Sequence, residues 1–332
     1  MKGKIKIIIL VIVLLIAVAA AILLGTGTKT IKTAEVTIEE GSDTMEIAHT
    51  LKKSGVIRSE AAFLVRLKTS SYAGKLRYGT YEIKKGTSMN RLFQMLATEG
   101  AKKNTINLTV PEGYSAEQIG DELQKQGVCK KDEFLKAVDT KENYDFKWLA
   151  KIKEDKNREH VLQGYLYPDT YNIYKTATPK EIVTVMLENF EKHYSQLDAW
   201  DRLDQIVTEA SVIERETGVD SERATIAGVI ENRMAKKMRL QVDATVLYPL
   251  TNGMYDKKSV TYKDLKVDSP YNTYLNKGLP VGPICNPSIE SMEAAANPQK
   301  HKYLYYHTKS KDSKEHNFYK TYEEHIKSQK KE

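Results

Sequence analysis

From position 7 to position 24 every residue is apolar, and an uncharged run of that length can cross a bilayer as a helix with little tilt. Lys2, Lys4 and Lys6 precede the run, while Lys29 and Lys32 follow it. The positive-inside bias is therefore mild, and it places the N-terminus in the cytoplasm with nearly all of the remaining chain outside. A cleaved signal peptide is the rival, since Ala17, Ala19, Ala20 and Ala21 offer small residues for cleavage. Ile22, Leu23 and Leu24 extend the apolar core past the usual signal length, which favours an uncleaved anchor.

The 332 residues leave room for two domains behind that anchor. The net charge of +7 is spread over lysines interleaved with acids, as in Lys320, Glu323, Glu324, Lys327 and Lys330. Such a surface mildly favours anionic polymers or lipid headgroups and carries no nucleic-acid signature. Cys129 and Cys285 form no metal-type spacing and argue against a disulfide framework, and no two of the seven histidines stand three to five apart as metal pairs often do.

Beyond the anchor the chain repeats itself. Glu40-Gly41 leads to Ile47, Leu51, Gly55-Val56 and Phe63-Leu64, and Glu112-Gly113 leads to Ile119, Leu123, Gly127-Val128 and Phe134-Leu135. Each copy predicts a short strand, a tight turn and an amphipathic helix, and such units are expected to pack together because none buries its apolar face alone. A partial copy lies between them around Tyr81, Ile83 and Lys85-Gly86. A further echo links Thr80-Tyr81-Glu82-Ile83 with Thr170-Tyr171-Asn172-Ile173. The charged stretch 139–158, with one apolar patch from Phe146 to Ala150, reads as a connector.

In the second half, Leu203, Ile206, Val207, Ala210 and Ile213 recur on one face of a predicted helix over 203–217, with Gly218 as a left-handed stop. Glu214 and Glu216 fall in its last turn. At about 100° per residue they point to nearly opposite sides, so only one can face a given cleft. The helical wheel puts Glu214 nearer the apolar stripe, where a carboxyl would be a better general acid. Pairing with Arg215, Arg223 or Arg233 is the bland alternative. Asp220 or Ser221 can cap a following helix. Asp243 is the best candidate for a second acid, although a turn-capping role is commoner. A proline-rich loop follows through 269–287, and Ser288 can start a short helix. Tyr303-Leu304-Tyr305-Tyr306 and His316-Asn317-Phe318 read as a hairpin.

Glu214-Arg215-Glu216-Thr217, Asn232-Arg233, Leu240-Gln241 with Asp243 and Thr245, Tyr271-Asn272-Thr273-Tyr274 and Gly278-Leu279-Pro280, in that order, resemble the endolytic murein transglycosylases, the YceG-like proteins. The resemblance implies a membrane-anchored enzyme that cleaves the glycan strands of peptidoglycan, possesses LysM-like elements and needs neither cofactor nor metal. It assigns the catalytic role to Glu216 against the wheel argument. Glu214, Asn232, Gln241, Asp243, Thr245, Tyr271 and Asn272 become candidates for substrate binding, and cell-wall synthases candidate partners. Gln163, where an acid often precedes Gly164, departs from the pattern, as does the glycine-free turn at 310–314.

The expected fold class is α+β: an anchor in 1–28, a LysM-like domain over 34–104, a second strand-helix unit and connector over 105–158, and a mixed catalytic domain over 159–328. Glu216 would protonate the bond between N-acetylmuramic acid and N-acetylglucosamine and leave 1,6-anhydromuramic ends. A non-catalytic glycan-binding scaffold is the alternative, and a hydrolytic muramidase using Asp243 a third reading.

Overall fold

The computed structural model describes residues 29–99, 105–310 and 313–329. The predicted anchor lies outside these, and among the described residues no helix is long and apolar enough to cross a membrane. Helices and three two-stranded sheets, β1–β2, β3–β4 and β5–β6, make a mixed α+β architecture.

The chain forms two compact units, one of Met1–Ile106 with Tyr174–Thr176 and the other of Asn107–Ile173 with Ala177–Glu332. In the first, β1 (Ala34–Ile38) pairs antiparallel with β2 (Gly79–Ile83). Alternation along the strands turns Val36, Ile38, Tyr81 and Ile83 inward. Between them come α1 (Thr44–Lys53), started by an Asp43–Glu46 capping box, and α2 (Glu60–Lys68), capped by Ser59. Ile47, Leu51 and Phe63 from these helices, and Leu92 and Phe93 from α3 (Met89–Gln94), close the core.

The second unit opens on the same plan. Strand β3 (Thr105–Thr109), α4 (Ala116–Lys125), α5 (Lys131–Val138), β4 (Thr170–Tyr174) and α6 (Pro179–Tyr194) repeat the order β1-α1-α2-β2-α3. The two echoes seen in the sequence are thus the front and back of one duplication. Gly41 and Gly113 both turn at positive φ, +81° and +76°, and Asp43 and Ser115 both build capping boxes. The cross-strand hydroxyl pair Thr37–Thr80 at 3.0 Å recurs as Thr109–Thr170 at 3.1 Å. Tyr81 donates to the Arg77 carbonyl and Tyr171 to the Tyr167 carbonyl, each at 2.5 Å. The copies do not share a sheet. Each strand pair closes within its own copy, and the second copy, apart from Thr105, Ile106 and Tyr174–Thr176, belongs to one compact unit with the rest of the C-terminal half.

That half is centred on α7 (Leu203–Glu216), whose inward face is fully buried from Leu203 to Ile213 and packs on α10 (Ile289–Ala296) and α8 (Asp220–Ala235). Helix α7 stops differently from expectation. Thr217 is extended at φ −144°, its hydroxyl accepts the Val219 N–H at 2.9 Å, and Gly218 is not left-handed. Helix α8 begins at Asp220 without a side-chain cap, and Ser288 caps α10. Helix α9 (Ala244–Leu250), the hairpin β5 (Tyr305–Thr308) with β6 (His316–Tyr319), and α11 (Tyr322–Gln329) complete the unit.

The proline-rich loop is fastened from below. Asn286 Oδ1 accepts the N–H groups of Gly164 and Leu166 at 2.8 and 3.1 Å, while its Nδ2 donates to the Tyr114 carbonyl at 2.9 Å. Gly164, at φ +94°, has room for no side chain, because a Cβ there would lie 2.6 Å from Pro283 and 2.8 Å from Val207. The side chain of Gln163 is buried and accepts the Ala116 N–H at 2.8 Å. Both cysteines are free, and the buried Cys285 thiol donates to the Ser211 carbonyl at 3.3 Å.

His160 bridges Asp139 at 2.7 Å and Glu117 at 2.9 Å, tying the connector to the second copy's helices. Burial alone would lower its pKa, but the two carboxylates outweigh that and lift it to about 10. A raised folded-state pKa contributes stability in full below the unfolded value near 6.5 and loses it as the pH climbs through 10. The advantage of the parent over His160→Gln in urea unfolding is therefore expected to shrink steadily between those two pH values.

Candidate active site

Glu216 stands half-buried at the end of α7, in a cleft of about 470 Å³ between the C-terminal hairpin and the segment leading into α9. Tyr306, from β5, donates its hydroxyl to Glu216 Oε2 at 2.5 Å. Opposite, Asp243 Oδ1 accepts the Tyr274 hydroxyl at 2.6 Å, so the cleft holds two carboxyl groups, each partnered by a tyrosine. Burial raises the pKa of Glu216, and the nearby Asp243 charge adds to the rise. The Tyr306 hydroxyl, His316 and Arg233 act against it without cancelling it. A carboxyl raised in this way keeps its proton to higher pH than an exposed glutamate does.

The walls are held from behind. Arg233, on α8, donates from Nε to the Leu304 carbonyl at 2.6 Å and from a terminal nitrogen to the Leu240 carbonyl at 2.5 Å. Its guanidinium lies 5.3 Å from the centre of the Tyr305 ring. One residue thus clamps both sides of the cleft. Gln241 lines it at φ +54°, a left-handed conformation unusual for a residue with a side chain, with its N–H on the Thr273 carbonyl at 3.2 Å.

Of the residues singled out from sequence, Glu216, Gln241 and Asp243 come together at this cleft. The other five do not line it. Glu214 points away, as the helical repeat requires. Its Oε2 accepts from the Ser288 N–H at 2.9 Å, the Ser288 and Ser291 hydroxyls at 2.5 and 2.8 Å, and Arg223 at 3.2 Å. Asn232 donates to the His301 and Tyr303 carbonyls at 2.9 and 3.1 Å and so fixes the approach to β5. Thr245 donates to the Val242 carbonyl at 2.6 Å and shares a 2.8 Å contact with the Thr273 hydroxyl, which holds the turn bearing Gln241 and Asp243. Asn272 binds the Leu265 and Val267 carbonyls at 3.1 and 2.8 Å and accepts the Tyr274 N–H at 2.9 Å. The Tyr271 hydroxyl accepts the Glu159 N–H at 3.0 Å. Each therefore shapes the frame in which the cleft residues sit.

Tyr306, Tyr274, Arg233 and Tyr305 were not identified as site residues from sequence. Arg233 and Tyr274 lie inside the motifs that carry the family resemblance, so a signal existed for them. Tyr306 lies 90 positions from the carboxylate it touches, and nothing local distinguishes it from a core aromatic. Among the described residues no group of three or more histidine, cysteine, aspartate or glutamate side chains is placed to hold a metal ion.

Residues 36–331 match the YceG-like family, and the chain belongs to it. Over 316 residues it is 35% identical to the endolytic murein transglycosylase of Bacillus subtilis strain 168, covering 90% of this chain and 84% of that one. The protein of the same name from Streptococcus pneumoniae serotype 2 strain D39 is 31% identical over 83% of this chain, which spans 54% of that longer relative. The crystal structure of a yceG-like protein from Listeria monocytogenes superposes with a TM-score of 0.56 at 33% identity, over 90% of this chain and 99% of that one.

Two outcomes follow from this geometry. Tyr306→Phe removes a donor that favours the carboxylate, so Glu216 is expected to titrate at a higher pH, as read by carboxyl-carbon NMR with Glu216→Gln to assign the signal. The side chains of Glu214 and Arg223 are only 7% and 6% exposed. Glu214→Ala, which leaves the arginine with only Ser291 and the exposed Asp220 as partners, is expected to cost about 3 kcal/mol in denaturant unfolding.

Proposed function

We propose that the protein is a lytic transglycosylase that cleaves peptidoglycan strands between N-acetylmuramic acid and N-acetylglucosamine and leaves 1,6-anhydromuramic ends. The observation that carries this reading is the half-buried carboxyl of Glu216, raised in pKa by its setting and lining an open cleft, in a chain related to endolytic murein transglycosylases.

The chemistry closes on one carboxyl group. Glu216 gives its proton to the glycosidic oxygen as the bond from muramic C1 to that oxygen breaks. The N-acetylglucosamine hydroxyl leaves, and positive charge develops at C1 and the ring oxygen. The muramic 6-hydroxyl then attacks C1 and passes its proton to the Glu216 carboxylate, which restores the acid without consuming water. Tyr306 engages Oε2, so Oε1 is the oxygen assigned to proton transfer. The Asp243 carboxylate, oriented by Tyr274, stabilises the developing cation, while Gln241 presents its amide to sugar hydroxyls.

The apolar segment 7–24 is assigned as a single membrane anchor with the N-terminus in the cytoplasm and the chain beyond the anchor outside. Residues 34–104 are read as LysM-like, and synthases that extend the glycan remain the proposed partners.

Purified peptidoglycan digested with the detergent-solubilised full chain is expected to yield anhydromuramic ends by mass spectrometry. Glu216→Gln should lower their rate of formation by about 10²–10⁴-fold. Reducing muramic ends would indicate hydrolysis, with Asp243 activating water. No new ends from the parent protein would leave the scaffold reading.

A further inference from the structure

A second cavity, of about 540 Å³, lies in the C-terminal unit away from Glu216. Its wall holds Trp148 and Trp200, and the chain contains two tryptophans in all. Trp148 comes from the apolar patch of the charged connector, within a 3₁₀ turn at Lys147–Lys151, and Trp200 from the turn that leads into α7. Trp148 is 5% exposed and rests on Phe190 at 5.0 Å between ring centres, while Trp200 is half-exposed. The indole N–H of Trp148 has no acceptor among the described residues, which packing alone leaves unexplained. Lys147, Lys151 and Lys192 rise around the aromatic wall as exposed side chains, none of the three ion-paired with a described residue, and Glu188 and Glu191 share the lining, so the rim can meet both the carboxylates and an amino group of one ligand.

An aromatic face takes the C–H face of a pyranose, and free ammonium groups beside it take carboxylates. A neutral sugar would use only the first of these. We infer that this cavity binds a peptide-substituted amino-sugar unit of peptidoglycan, with the ring against Trp200 and the stem-peptide carboxylates on Lys151 and Lys192. The assignment rests on the proposed activity for the nature of the polymer. Helix α7 joins the two places: its 14 residues start just after Trp200 and end at Glu216, a span of about 20 Å at ~1.5 Å per residue. A strand gripped at the tryptophans would be cut at a fixed remove from the grip, away from its own end.

Both tryptophans line this cavity, so their emission reports on it directly. The full chain carrying Glu216→Gln, in detergent, is titrated with purified N-acetylglucosaminyl-N-acetylmuramyl tetrapeptide and, separately, with neutral N-acetylglucosamine tetramer. A saturable emission change is expected with the muropeptide, its half-saturation concentration raised about tenfold by Lys151→Glu with Lys192→Glu, a shift the neutral tetramer does not show. Circular dichroism checks that this surface variant is folded. No emission change with the muropeptide, or one insensitive to the charge reversal, overturns the assignment. The chain-end analysis of the parent protein judges the transglycosylase reading separately, so one can fail while the other stands.

Discussion

The buried carboxylate of Glu214 gathers two serine hydroxyls, one backbone N–H and the Arg223 guanidinium at the point where α7 meets α10 and α8. A carboxyl group is tolerated in an interior when hydrogen-bond donors converge on it in this way, and losing them is costly. Because Glu214 is fixed inward, the helical repeat turns Glu216 outward into the cleft. The direction of the proposed proton donor thus follows from a neighbour that never touches substrate. The same arginine also donates to Ser291 at 2.6 Å, so the anchoring extends into the first turn of α10.

Duplication explains much of the remaining architecture. A strand, two helices, a strand and a helix make a unit that closes over its own hydrophobic face. The first copy does so with a short link from α2 to β2. In the second copy the equivalent link is drawn out into the charged connector, and its ends are tied back through His160 and Asn286. This lengthening brings Trp148 to the aromatic cluster beside α6 and α7. The second copy of the packing unit in this way forms a supporting wall of the C-terminal half.

The sequence made α7, its apolar stripe and the opposed directions of its two glutamates legible, because a 3.6-residue period is a local property. The capping by Ser288 and the C-terminal hairpin were legible for the same reason. The stop of α7 was misjudged: Gly218 looked like the terminator, whereas the extended Thr217 and its hydroxyl do that work. Five of the eight proposed site residues support the cleft from outside it. A motif marks which residues a family keeps, and it does not separate a side chain that meets the ligand from one that holds the next turn in place. Tyr306 and the clamp of Arg233 on two separate carbonyls depend on contacts across the fold, beyond the reach of spacing.

The partner of Glu216 arrives late in the chain. Its carboxylate is made with α7, while the hydroxyl on it belongs to β5, fastened in turn by Asn232 and Arg233 to α8. During synthesis, a polypeptide that has emerged as far as the proline-rich loop already carries the glutamate, but not the strand that supplies its hydrogen-bond donor. The carboxyl acquires its tyrosine partner only when the closing hairpin docks, so a nascent or C-terminally clipped molecule would carry Glu216 without the hydroxyl that holds it.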